Sequence, residues 1–133
     1  MTTWTEDELR RIGTATELQL ASRRGDGTLR PYVTMWVVGF GNEIYVRSAG
    51  GPDRPWYRHA RASGSGHIRA GGVQRDVTFG EATTDVQEEI DDTYHAKYDD
   101  YGQSIVGHVV GPQAHDVTIR LLPDDPSTAA VTG

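Results

Sequence analysis

The sequence contains no cysteine, which excludes disulfides, thiolate nucleophiles and cysteine metal sites together. It also lacks any apolar run near the roughly 20 residues that span a bilayer, and its opening MTTWTEDELRR is polar and acidic rather than basic and then apolar. The expectation is a soluble cytoplasmic protein with no membrane partner. A surplus of positive charge is missing as well. Thirteen Lys and Arg stand against 19 Asp and Glu, a net charge of -6, whereas a nucleic-acid partner calls for basic surface facing phosphate. None of His59, His67, His95, His108 and His115 stands in H-x-x-x-H or H-E-x-x-H spacing, so no metal site is expected. There is no G-x-S-x-G elbow to make Ser48 a hydrolase nucleophile. The acidic pairs Glu88-Glu89, Asp91-Asp92 and Asp99-Asp100 are adjacent residues, which diverge by about 100° on a helix and read as a solvated face rather than an acid/base pair.

What is present fits one domain of 133 residues and 14.6 kDa, with no internal repeat and no dividing linker. The expected boundaries are an N-terminal helix over residues 1–15, the main domain over 16–122 and a Pro-, Ser- and Thr-rich tail over 123–133. Charge is uneven along it. From Arg23 to Arg75 there are nine arginines against Asp26, Glu43 and Asp53, so a basic middle lies inside an acidic chain. Such a middle suits a small polyanion held at a local site.

The stretch from Ile44 to Gly64, IYVRSAGGPDRPWYRHARASG, sits at its centre. It reads as a strand to Arg47, a glycine-rich turn over Ser48–Pro52 and a short helix entered through Pro55. Amides of Ala49, Gly50 and Gly51 in such a turn form an anion nest, with Arg47, Arg54 and Arg58 as countercharges.

Around it the chain reads mostly as hairpins. Thr5–Ile12 opens with T-E-D-E, a capping box and a short helix. Glu17–Arg23 alternates as a half-buried strand, and R-G-D-G turns it into a second strand over Leu29–Phe40, where consecutive Met35, Trp36, Val37 and Val38 suggest burial of both faces. Gly39-Phe40-Gly41-Asn42 turns the chain into Glu43–Arg47, and His67–Ala70 returns through Gly71-Gly72 into Val73–Ala82. Five or six strands in hairpin succession indicate a small antiparallel barrel. Thr84–Tyr98 then changes period: Val86, Ile90, Tyr94 and Tyr98 line one stripe of a helix. Tyr101–Gly111 is ambiguous, and Ala114–Leu122 reads as a closing strand.

Y-V-R-S-A-G-G at Tyr45–Gly51, P-W-Y at Pro55–Tyr57 and H-I-R-A-G-G at His67–Gly72 resemble the small split-barrel flavin-binding proteins, which include pyridoxamine-phosphate-oxidase-like proteins, and most closely their deazaflavin-dependent nitroreductase branch. W-V-V at Trp36–Val38, G-G-V-Q-R-D-V at Gly71–Val77 and I-D-D-T-Y-H-A-K-Y at Ile90–Tyr98 look like a bacterial family of uncharacterised single-domain proteins with that barrel. The resemblance covers roughly Leu18–Pro123. It implies a six-stranded antiparallel split β-barrel with flanking helices, paired as a homodimer, with deazaflavin or FMN in a cleft. It further implies that Ser48, Gly50 and Gly51 donate to the cofactor's phosphate, that Arg47 and Arg54 balance its charge with Arg58 nearby, and that Trp56 and Tyr57 wall the ring pocket.

The function expected is reduction of a small conjugated or aromatic substrate, with His59 as proton donor and Tyr57, Tyr32 and Tyr45 as phenolic alternatives. The alternative is a cofactor-free barrel that binds a small ligand or acts without redox chemistry on a hydrophobic substrate. Ala49 favours it, standing where the deazaflavin branch commonly places lysine.

Overall fold

The computed structural model describes residues 3–49 and 51–124. Helix α1 (Glu6–Thr14) starts at the expected capping box: the Glu8 amide donates to the Thr5 hydroxyl at 3.1 Å, and the Thr5 amide donates to the Glu8 carboxylate at 3.0 Å. Seven strands follow: β1 (Leu18–Ser22), β2 (Val33–Met35), β3 (Val38–Phe40), β4 (Glu43–Arg47), β5 (Ser65–Ala70), β6 (Val73–Glu81) and β7 (Thr118–Pro123). Helix α2 (Pro55–Ser63) joins β4 to β5, and α3 (Gln87–Tyr98), α4 (Gln103–Val106) and α5 (Pro112–His115) lie between β6 and β7. Among the described residues no helix is long and apolar enough to cross a membrane.

All pairings are antiparallel, in the order β2-β1-β5-β6-β7-β4-β3. The two outermost strands, β2 and β3, are joined by Trp36 and Val37 alone. A flat sheet of this order would hold its edges far apart, so the sheet curls until they meet. The expected split barrel is thus present, with seven strands rather than six. The extra one arises because the single strand expected over Leu29–Phe40 breaks at Trp36-Val37, where the chain passes from one sheet edge to the other. Val37 and Val38 are both fully buried but face different clusters, so burial of both faces is met by crossing over.

Tight turns fix the hairpins. Gly41 and Asn42 (φ 60° and 65°) link β3 to β4, and Gly71 and Gly72 (φ 57° and 84°) link β5 to β6, both as two-residue loops with positive φ throughout. Gly66 answers a different demand. A Cβ there would stand 2.1 Å from the Ala21 carbonyl oxygen and 2.8 Å from the Phe79 ring, so the curl of β5 across β1 leaves no space for a side chain.

Two apolar clusters result. Inside the curl, Leu18, Leu20, Ile44, Val46, Ile68, Val77, Ile119 and Leu121 meet Trp4 and Ile12 from the N-terminal segment and Tyr57 and Ala60 from α2. The Trp4 indole donates to the Leu121 carbonyl at 2.9 Å, which makes α1 part of the barrel's closure rather than an appendage. Outside the curl, Val38 and Tyr45 are covered by Ile90, Tyr94 and Tyr98 of α3 and by Val106 and Val109. The expected stripe of α3 is therefore its buried face; each such side chain contributes about 1.5–3 kcal/mol when removed from water. The first residues of the expected helix, Thr84–Val86, form a 3₁₀ turn instead. Ala114 and His115, expected in the last strand, belong to α5, while Val117, Ile119 and Leu121 alternate into the core as expected. Of the tail, Pro123 ends β7 and the Asp124 amide donates to the Asp76 carbonyl; residues 125–133 lie outside the described residues.

Candidate functional site

The turn after β4 and the start of α2 have the expected shape. Pro55 occupies the first helical turn, Arg54 is the N-cap without a side-chain cap bond, and Gly64 ends the helix at φ 77°. The turn's polar groups are used differently from the expectation. The Ser48 hydroxyl donates to the Gly51 carbonyl at 2.6 Å, the Gly51 amide donates to the Ser48 carbonyl at 3.0 Å, and the Ser48 amide donates to the Val117 carbonyl at 3.2 Å. Ser48 and Gly51 therefore hold the turn closed and are not donors to a ligand in this conformation. Gly50 lies outside the described residues.

Arg47 corrects the expectation more strongly. Strand residues alternate sides, so with Ile44 and Val46 inside the curl, Tyr45 and Arg47 point the other way, beneath α3. Its side chain is fully buried. Nε donates to the Thr118 hydroxyl at 2.9 Å, Nη1 to Asp91 and to the Val109 carbonyl, and Nη2 to the Gln87 carbonyl and side-chain oxygen. All five guanidinium N–H groups are satisfied within the chain. Arg47 is a structural charge and leaves none for a cofactor phosphate.

Asp91 is the hub of this buried network. It also accepts from His115 Nε2 at 2.9 Å and from the Gly111 amide at 3.2 Å. Burial pushes its carboxyl up, but the bonds from His115, Arg47 and Gly111 outweigh that and hold it below the usual range. The network pins the 107–117 segment onto α3 and so shapes the cavity that this segment borders.

Two adjoining chambers flank the turn. One, of ≈ 360 Å³, is bordered by Ser48, Ala49, Gly51 and Arg54 on one side and by Gly107, His108, Gln113 and Ala114 on the other. The second, of ≈ 350 Å³, is more apolar and is lined by Met35, Trp36, Trp56, Ile105 and Val109. Ala49 and Arg54 border both. Arg54 is exposed and has no ion pair among the described residues. A third, smaller cavity of ≈ 210 Å³ lies against the other part of Trp56, with Arg30, Pro31, Val33 and His59 in its wall.

Of the residues expected at the site, Ser48, Gly51 and Arg54 border the polar chamber, and Arg47, Arg54 and Trp56 line the apolar one, Arg47 with its guanidinium fully engaged within the chain. His59 reaches the neighbouring small cavity. Tyr57 does not join them: it is 6% exposed, packs in the inner core and donates its hydroxyl to the Asp116 carbonyl at 3.2 Å. Packing and that bond remove it both as ring wall and as proton donor. Arg58 is exposed and lines neither chamber. Tyr45 is buried beneath α3, where burial raises its phenol. Tyr32 lies over the Arg69 guanidinium, 3.7 Å from ring centroid to Cζ. Among the described residues no group of three metal-ligating side chains stands together.

Trp36, Ile105, His108, Val109 and Gln113 were not anticipated as site residues. Trp36 sits at the strand break and stacks on Tyr98 with centroids 4.0 Å apart and planes 3° apart. Ile105, His108 and Val109 come from Tyr101–Gly111, whose mixed glycine and valine pattern is ambiguous, and Gln113 from the link between that segment and the expected last strand, so no periodic signal marks them.

The chain belongs to the DUF2255 family, described as an uncharacterized protein conserved in bacteria, whose profile matches residues 8–121. No curated protein matches it in sequence. Among solved structures it is similar to a candidate pyridoxamine 5'-phosphate oxidase from Listeria innocua, at 17% identity and a TM-score of 0.62 over 90% of this chain and 93% of that one. It is also similar to an F420 reductase (17%, TM-score 0.59, 92% and 97% covered). A FAD-binding protein from Mesorhizobium loti gives 17% identity, a TM-score of 0.53 and 93% coverage of both chains. At these identities the likeness establishes the split-barrel fold.

Proposed function

We propose that this DUF2255 protein is a small oxidoreductase that binds a deazaflavin or FMN in the paired chambers and reduces a small conjugated or aromatic substrate. One observation carries the reading: a polar chamber and an aromatic chamber adjoin across Ala49 and Arg54, which suits a ligand with a flat ring at one end and an anionic tail at the other. Similar structures that include an F420 reductase and a FAD-binding protein support it.

In this reading Arg54 balances the tail's charge, His108 and Gln113 offer polar contacts to it, and small Ala49 allows close approach of the backbone. Trp36 and Trp56 flank the ring and exclude water from it. His59 holds the proton for the substrate from the cavity beside Trp56. A bound flavin or deazaflavin supplies the hydride chemistry itself. Exposed Tyr101 and Ile105, with Ile105 in the wall of the aromatic chamber, support pairing with a second copy across this side of the barrel.

The test is titration of the protein with FMN and, separately, with the deazaflavin F420, following tryptophan fluorescence and heat. Micromolar binding of one, about -8 kcal/mol, is expected. Absence of binding to both by folded protein would support the second reading, a cofactor-free barrel for a small ligand. That reading is favoured by a specific finding: Arg47, the Ser48 hydroxyl and the Gly51 amide are all engaged within the chain.

A further inference from the structure

Arg30 lies in the connection between β1 and β2, three residues before β2 begins, and its position is fixed on both sides. Its amide donates to the Ser22 carbonyl at 2.9 Å, the neighbouring Arg23 and Leu29 form a bridge, and Pro31 restricts the next φ. Its side chain is different from most of the chain's arginines. Arg10, Arg11, Arg23, Arg47, Arg61, Arg75 and Arg120 each pair with a carboxylate. Arg30 has no such pair among the described residues, although acidic residues outnumber basic ones by 19 to 13. Its Nε is buried with no hydrogen-bond partner, as are those of Arg69 and Arg120, but of the three only Arg30 borders one of the cavities described above. A charged N–H group removed from water and left unpaired is costly, so the arrangement calls for an acceptor from outside the chain.

The cavity in front of it defines that acceptor. Leu20, Val33, Pro31, Pro55 and Trp56 give it an apolar wall, and at ≈ 210 Å³ it is too small for a nucleotide. His59 stands on the same wall, three residues along α2 from Trp56.

We propose that this cavity is a subsite for a carboxylate carried on a small flat apolar body, with Arg30 pairing the carboxylate and Trp56 and Val33 packing on the body. A guanidinium matches a carboxylate in plane and spacing. The inference deepens the proposed function by naming the substrate class as a hydrophobic carboxylic acid, and it assigns the two carboxylate-free arginines that border these cavities different partners: Arg30 the substrate's carboxylate, Arg54 the cofactor's tail. Trp56 stands between them and borders both spaces.

The experiment compares 2-naphthoate with 2-naphthamide, alike in shape and different in charge, by calorimetry and by the tryptophan indole NMR signals. The folded protein is expected to prefer naphthoate by about tenfold or more. Arg30→Gln abolishes that preference while naphthamide affinity stays within about twofold, and Arg54→Gln leaves the preference intact. Should Arg30→Gln not fold, Arg30→Lys, which keeps the charge without the fork, is expected to bind naphthoate more weakly than the unsubstituted chain. Equal binding of the two probes, a preference that survives Arg30→Gln, or naphthoate affinity unchanged in Arg30→Lys overturns the proposal. FMN and F420 titrations on the same samples separate the two readings. Arg30-dependent preference without cofactor binding sinks the redox function and keeps the subsite, whereas cofactor binding without preference does the reverse.

Discussion

Arg47, fully buried, and Asp91, partly buried, form an ion pair that joins the end of β4 to the middle of α3, and four further acceptors complete the guanidinium's bonding. Removing one partner strands the other charge in the interior. Arg47→Ala is therefore expected to destabilise the fold by about 3–5 kcal/mol, read as a shift of the urea midpoint at unchanged slope. A loss below about 1 kcal/mol, typical of an exposed pair, would show that the pair is solvated.

The same pair sets an acid dependence. Asp91 is held below its ordinary value when folded and titrates near about 3.9 when unfolded, so its stabilisation is complete above the unfolded value and is lost as pH falls through the lowered folded one. Asp91→Asn should remove this part of the acid-induced loss. Parallel stability curves for the two proteins between neutral pH and pH 3 would contradict it.

Lys97, the only lysine in the chain, donates to the Val37 carbonyl at 2.6 Å, and burial lowers its amine to about 8. The unfolded amine titrates near about 10.4. Between these values the unfolded chain holds the extra proton, so stability rises with pH across that window. Lys97→Met should flatten the rise, and reductive methylation of the folded protein should report an amine half-protonated near pH 8. An amine that titrates at the unfolded value refutes the assignment.

Gly66→Ala tests the closeness of β1 and β5. With the Ala21 carbonyl 2.1 Å from the added carbon, the strands must separate, at a cost of about 3 kcal/mol or more. A melting temperature unchanged by the substitution would mean that the curl is looser than described.

Arg54 and Arg58 are both exposed arginines of the same segment, and only Arg54 lines the chambers. Arg54→Gln should weaken FMN or F420 binding about tenfold, the effect of one charge-assisted bond, while Arg58→Gln leaves it unchanged. Both variants should keep their stability within about 0.5 kcal/mol. Equal affinities for the two variants would remove Arg54 from the site.

The elements themselves were legible from local patterns. The Thr5/Glu8 box, the Gly71-Gly72 turn, Pro55 at a helix start and the Ile90, Tyr94, Tyr98 stripe each depend on neighbours within a few residues, and each stands where the pattern put it. The turn read over Gly39–Asn42 narrows to Gly41-Asn42 because Gly39 and Phe40 pair in β3. The site was legible only in part. Its turn and α2 were recognisable, and Arg54 and Trp56 face the chambers. Tyr57 lies away from the chambers, and Arg47 reaches the apolar one only with its guanidinium already engaged, because residue type says nothing about the side of a strand or helix that the barrel will cover.

The amino-acid order by itself determined the hairpins, the helical stripe and the basic middle, since turn geometry, side-chain period and charge are local properties. Tertiary structure alone decided which arginines are free. Closing the sheet through Trp36-Val37 placed β4 between two cores, turned Arg47 under α3 to Asp91 and left Arg30 and Arg54 unpaired on either side of Trp56. Those pairings link residues distant in the chain, and only the curl of the sheet brings them together.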